Sequence, residues 1–253
     1  MPANLDGVVW LILTLAALLI LQRSLHRELQ WVFLLATRRE DIAITLFSIL
    51  FFPGILLHEG SHFLMARLCG VRTGRFSLIP RPLPEGKLQL GFVETAPADW
   101  LRETLIGMAP LVSGLLFVAY VGLVQLNLSA LWQALLTGGA QAFTQSLHSL
   151  IQQPDFWLWF YLALVVSSTM LPSAADRRAW LPLMAFFALL VGISLIFGAG
   201  PWLYDTLAAP LNQILRVVSL LFGISVLLHG LMLPFTWLTR LILSRLTGLK
   251  VMI

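Results

Sequence analysis

Three residues in one short stretch carry the chemistry that the chain can do. They are His58, Glu59 and His62, in the order H-E-x-x-H. Residues four apart share one face of a helix, so both imidazoles can reach a single metal ion. Glu59 follows the first of them and can take a proton from a water activated at that ion. The stretch lies inside Phe51 to Met65, which is apolar enough to sit within a bilayer. Ionisable groups are costly there and are generally functional. Pro53 removes one backbone donor and Gly54 loosens the helix one turn before His58, which reads either as an ordinary membrane-helix kink or as a bend that admits substrate or water.

A catalytic zinc site takes three protein ligands and leaves one position open. H-E-x-x-H provides two. The extended pattern with a further x-x-G-x-x-H fails, because Phe63 to Leu68 contain neither the Gly nor the His. The glutamates after His62 are Glu85, Glu94 and Glu103, in or beside a proline-rich loop. The downstream aspartates are Asp99, Asp155, Asp176 and Asp205. Asp176 is preferred, because it directly follows an apolar span and is preceded by Pro172 and the small residues Ser173, Ala174 and Ala175. A bond to Arg177 or Arg178, or a helix cap, is its plainer role. His148 reads as a solvated side chain, and His229 as a helix-packing or proton-linked one.

The elements that must position these groups are membrane helices. The 253 residues are 58% hydrophobic and 11% charged, with mean hydropathy +0.88. Soluble domains average about 45–50% apolar and about 25% charged residues. The net charge of +4 fits lipid contact and orientation better than nucleic acid, since no basic stripe with interleaved aromatics is present. One cysteine, Cys69, excludes an internal disulfide.

The expected fold is an all-α polytopic membrane protein with about six transmembrane helices and a small β-hairpin-like loop after the metal-binding helix. Spans are expected at Leu5–Leu21, Ile42–Leu68, Leu101–Gln125, Phe156–Leu171, Trp180–Phe197 and Leu211–Pro234. The first is expected to be retained rather than cleaved, since Met1 to Gly7 hold Asp6 and no basic residue. Gln22 to Asp41 reads as interfacial, as does the basic tail from Phe235 to Ile253. Asn127 to Pro154 is moderately polar and has room for an interfacial helix. Val71 to Trp100 is rich in proline and glycine, and its runs Arg75–Ile79 and Lys87–Glu94 are β-like. Three regions follow: 1–41, an N-terminal helix and interfacial segment; 42–178, the core; and 179–253, C-terminal helices and tail. Six spans would put the N-terminus, the Val71 loop, the Asp176 turn and the tail on one side. The positive-inside rule would then make that side cytoplasmic.

In family order, several pieces resemble the site-2 protease family of intramembrane zinc metalloproteases. They are His58-Glu59-Gly60-Ser61-His62; Ala66 to Arg72, like its helix end and Gly-Val turn; and Arg75 to Pro80, like its first strand. Leu90-Gly91-Phe92-Val93 is similar to its glycine-bearing second strand, Gly107 to Leu111 to its Ala-Gly-Pro segment, and Leu171-Pro172 to Asp176 to its ligand motif. The resemblance covers Ile42 to Arg178. Departures are Gly60 one place early, Ser168 or Thr169 where the family has Asn, Arg177 after Asp176 where it has Gly, and one residue fewer between Pro172 and Asp176. No PDZ-like domain is present.

The resemblance implies Zn²⁺ held by His58, His62 and Asp176, with Glu59 as catalytic base. It implies hydrolysis of a peptide bond in a transmembrane protein substrate, in a cell inner membrane. The substrate would be held extended by strand addition along Leu88, Leu90, Gly91, Phe92 and Val93. The rival reading is a non-catalytic zinc-containing scaffold or subunit of a larger membrane protein complex. A transporter would need repeated halves with paired broken helices, and no such repeat is seen.

Overall fold

A computed structural model of the chain describes residues 6–82, 88–178 and 180–249. Leu5, Lys87, Lys250 and the side chain of Leu88 lie outside the described residues. Eight α-helices and four short strands are present among them: α1 (Asp6–Thr37), α2 (Glu40–Leu68), β1 (Thr73–Ser77), β2 (Arg81–Pro82), β3 (Leu88–Gln89), β4 (Phe92–Thr95), α3 (Trp100–Tyr120), α4 (Leu128–Thr137), α5 (Gly139–Ile151), α6 (Phe156–Thr169), α7 (Trp180–Ile196) and α8 (Gly200–Thr247). A π-helical segment, Val121–Gln125, prolongs α3. Four of the helices, α1, α2, prolonged α3 and α8, are long and apolar enough to cross a membrane.

The all-helical type follows the expectation, but four helices rather than six are long enough to span among the described residues, and the division into spans changes. The first span and the interfacial segment are one 32-residue helix. Nothing between Gln22 and Ala36 breaks it: there is no Gly or Pro. Glu28 is buried and paired to Arg240 of α8 at 2.5 Å, and Arg27 lies over the Trp31 ring. The sixth span and the tail as far as Thr247 are likewise one helix, α8, of 48 residues. At about 1.5 Å per residue it is roughly 72 Å long, more than twice a hydrocarbon core of about 30 Å. Pro210 and Pro234 sit inside it without ending it. Conversely α6, with 14 residues, and α7, with 17, are shorter than a full span.

Helices α1 and α8 run parallel. Asp6 binds Arg216 at 2.6 Å and Glu28 binds Arg240, so both chains advance in the same direction between the two ion pairs. Asn212 reinforces the first, donating to Asp6 Oδ1 and accepting from the Gly7 N–H, each at 2.8 Å. This corrects the expected sidedness. Arg240 and Arg245 join Arg23, Arg27, Arg38 and Arg39 at the end opposite the N-terminus. The basic residues then divide nearly evenly between the two ends, and the charge bias no longer names a cytoplasmic face.

The expected hairpin is present. β1 pairs antiparallel with β4, Ser77 opposite Phe92 and Phe76 opposite Val93. β2 pairs with β3, Arg81 opposite Gln89. Helices α2, α3 and α6 pack together beside it. Gly54 lets α2 meet α6 closely, since a methyl group there would strike the Val165 carbonyl and the Thr169 hydroxyl. Gly114 does the same for α3 against Met170. Pro53 remains within α2.

Candidate metal centre

His58 and His62 project from one face of α2, one turn apart, with ring centroids 4.9 Å apart. Each Nδ1 faces a backbone carbonyl: Thr169 at 2.6 Å for His58, Ile106 at 2.8 Å for His62. A carbonyl can only accept, so each Nδ1–H donates, which turns each Nε2 toward the position that a metal ion would take. This is the outer arrangement found around metal-binding histidines, where the second nitrogen fixes tautomer and ring orientation.

Both carbonyls are available for reasons written in the sequence. The helical partner of the Ile106 carbonyl would be the N–H of residue 110, which is Pro110 and has none. Thr169 ends α6, and the N–H four residues on, that of Ser173, goes instead to Asp176 Oδ2 at 2.7 Å.

Asp176 lies in the turn after α6. Its carboxylate meets both imidazoles, Oδ1 at 3.3 Å from His62 Nε2 and Oδ2 at 3.9 Å from His58 Nε2. Ligand atoms of His58, His62 and Asp176 all lie within 4.8 Å of one another. The turn is tied by a reciprocal bond in which the Asp176 N–H donates to Ser173 Oγ at 3.3 Å. Gly107 of α3 backs it, and a methyl group there would strike the Asp176 carbonyl. Burial raises the Asp176 carboxyl, but the contact with His62 and its charge, with the Ser173 donors, outweighs it and holds the group at about 2. The carboxylate is therefore ionised and ready as a ligand. Two imidazole nitrogens and one carboxylate, each oriented from behind, offer three ligand atoms to one metal ion. This group could hold a metal ion.

Glu59 is buried, with 8% of its surface exposed, and borders the same cavity, of about 610 Å³. Leu90, Gly91, Phe92 and Val93 line that cavity with His58, His62 and Asp176. Gly91 is pressed against Glu59: a Cβ there would stand 2.8 Å from Glu59 Cγ. The sequence-predicted residues thus converge, except that Leu88 lies in β3, paired with Pro82 of β2.

Three of the competing ligands lie elsewhere. Asp99 caps α3, accepting from the Leu101 and Arg102 N–H groups. His148 is exposed and bonded to Gln152. His229 is fully buried among Ser168 and Ser225. Arg177 does not pair with Asp176 but donates to the Ser173 carbonyl. Sequence reasoning missed the two orienting carbonyls and the wall residue Arg178, and it weighed Glu103 only as a ligand, whereas Glu103 lines the cavity wall. Pro110 was the available signal for the first of them.

No protein-family model, curated protein or solved structure matches the chain.

Proposed function

We propose that this chain is a zinc-dependent intramembrane endopeptidase of the site-2 protease type. The observation that supports it best is the juxtaposition of Glu59 with the His58–His62–Asp176 group in one cavity within the helical core. A metal held only for structure has no need of a buried carboxylate at its open side.

His58, His62 and Asp176 would hold the ion. Zinc, when bound, supplies a Lewis acid for the scissile carbonyl and lowers the pKa of the attacking water toward about 7. Glu59 accepts the proton from that water and hands it to the leaving amine nitrogen, so that acid and base work fall to one group in turn. Gly91, by lacking a side chain, leaves Glu59 its place. The extended segment Leu90 to Val93 forms one wall along which an unwound stretch of a transmembrane protein substrate can lie.

The test compares wild type with Glu59→Gln, purified in detergent, on a dye-labelled unfolded protein. The variant keeps its zinc and loses about 100- to 10,000-fold in hydrolysis. Equal hydrolysis by both would overturn the proposal and leave the reading of a non-catalytic metal-containing scaffold.

A further inference from the structure

A buried polar chain connects α1 and α8 to the metal centre through one residue, Ser168. Helix α6 ends at Thr169, so its last carbonyls need partners from outside the helix. The Val166 carbonyl receives the Met170 N–H at 2.9 Å. The Ser168 carbonyl would receive the N–H of residue 172, but that residue is Pro172 and has none. Gln22 of α1 fills the gap, its Nε2 donating to the Ser168 carbonyl at 2.6 Å. The next carbonyl, Thr169, is the one that orients His58.

The Ser168 side chain is held from the other side. His229 of α8 is fully buried. Its Nδ1 faces the Ser225 carbonyl at 2.7 Å, so that nitrogen carries the proton and donates. Its Nε2 is then an acceptor, and it takes the Ser168 hydroxyl at 2.8 Å. Ser168 itself is 1% exposed. One residue is thus fixed by its carbonyl to α1 and by its hydroxyl to α8, immediately before the peptide that orients a metal ligand.

We propose that Ser168, Gln22 and His229 are positioning residues for the metal centre, fixing the end of α6 so that the Thr169 carbonyl aims His58 Nε2 at the ion. The proposal rests on the metal-centre reading above. It gives α1 and α8, which lie outside the core that carries the ligands, a part in metal affinity.

The experiment uses the full chain in detergent, stripped of metal and titrated with cobalt(II) and then zinc. Ser168→Ala, Gln22→Met, His229→Leu and His229→Gln are compared with wild type. Ser168→Ala and His229→Leu weaken zinc binding about tenfold, the low end for groups behind a ligand, and alter the visible absorption of the cobalt form. His229→Gln, whose amide oxygen can accept from Ser168, restores both. The double variant Ser168→Ala/His229→Leu is no worse than either single one, because the two act as a unit. Cooperative unfolding of the metal-free proteins identifies which variants are folded. If His229→Leu does not fold, Ser168→Ala and Gln22→Met decide the matter. Unchanged zinc affinity and cobalt spectrum in folded Ser168→Ala would overturn the proposal alone. Failure of wild type to bind either ion would overturn the metal-centre reading, and this proposal with it.

Discussion

Gly91→Ala separates the base from the metal ligands. The added Cβ would stand 2.8 Å from Glu59 Cγ, 3.2 Å from Glu59 Oε1 and 3.1 Å from the Ser77 carbonyl. Carbon atoms in comfortable contact are about 3.5–4.0 Å apart, so Glu59 Cγ and the new methyl must part by about 0.7 Å or more. The strand has little room to retreat, because Ser77 opposite Phe92 belongs to the β1–β4 ladder. Glu59 therefore gives way, and a misplacement approaching 1 Å at a catalytic group costs about 100-fold, or about 2.7 kcal/mol of transition-state stabilisation. Overpacking adds a stability loss of about 1–3 kcal/mol. The three atoms nearest the new methyl belong to Glu59 and Ser77 and not to His58, His62 or Asp176, so zinc binding stays intact. The assay is cleavage of a dye-labelled unfolded protein in detergent, read beside zinc content by atomic absorption. Full activity in a folded, zinc-loaded Gly91→Ala would refute the placement of Glu59. Loss of zinc together with activity would refute the claim that Gly91 serves the base and not the ligands.

Other outcomes follow from the same contacts. Gly107→Val drives the Asp176 turn away from α3 and weakens zinc binding about 10- to 100-fold, measured by competition with a chromogenic chelator. Glu28→Ala leaves Arg240 without its partner and lowers stability by about 3–5 kcal/mol, whereas Glu28→Met with Arg240→Met recovers most of it, read as Tm in detergent. Because α1 and α8 are parallel, native Cys69 and a cysteine at Leu246→Cys, in a Cys69→Ser background, label with an impermeant maleimide from opposite faces of sealed vesicles; labelling from one face would contradict the packing. The depressed Asp176 carboxyl contributes stability above its ordinary value of 3.8 and loses it only as pH falls toward about 2. Zinc release on acidification from about pH 8 to about pH 5 therefore follows protonation of the imidazoles and not of Asp176, as zinc titration against pH would show; retention of zinc until the pH falls toward about 2 would contradict it.

The grouping of His58, His62 and Asp176 was legible because its signals are local or chemical. H-E-x-x-H declares itself by spacing, and Asp176 by the scarcity of acidic alternatives after an apolar run. The hairpin was legible from its prolines and glycines. What was not legible is decided by pairing over long distances. Gln22 to Thr37 is polar enough to suggest the membrane surface, yet Glu28 finds Arg240 more than 200 residues away, and that pairing keeps the helix going. The tail read as a separate interfacial helix because of its basic residues, but Pro234 does not end α8, since proline within it costs only one backbone bond. Those two extensions reverse the expected position of the tail and remove the charge argument for orientation. Pro110 and Pro172 stood in the sequence as helix-breaking signals. Their actual consequence, a carbonyl released for a side chain of another helix, appears only once α3 is packed on α2 and α6 on α1.

Zinc content of the purified protein, wild type beside Asp176→Ala, bears most directly on the metal centre. The contacts among His58, His62 and Asp176 predict about one zinc per chain in the wild type and its loss in the variant. Equal zinc in both, or none in the wild type after zinc has been supplied, would contradict the site.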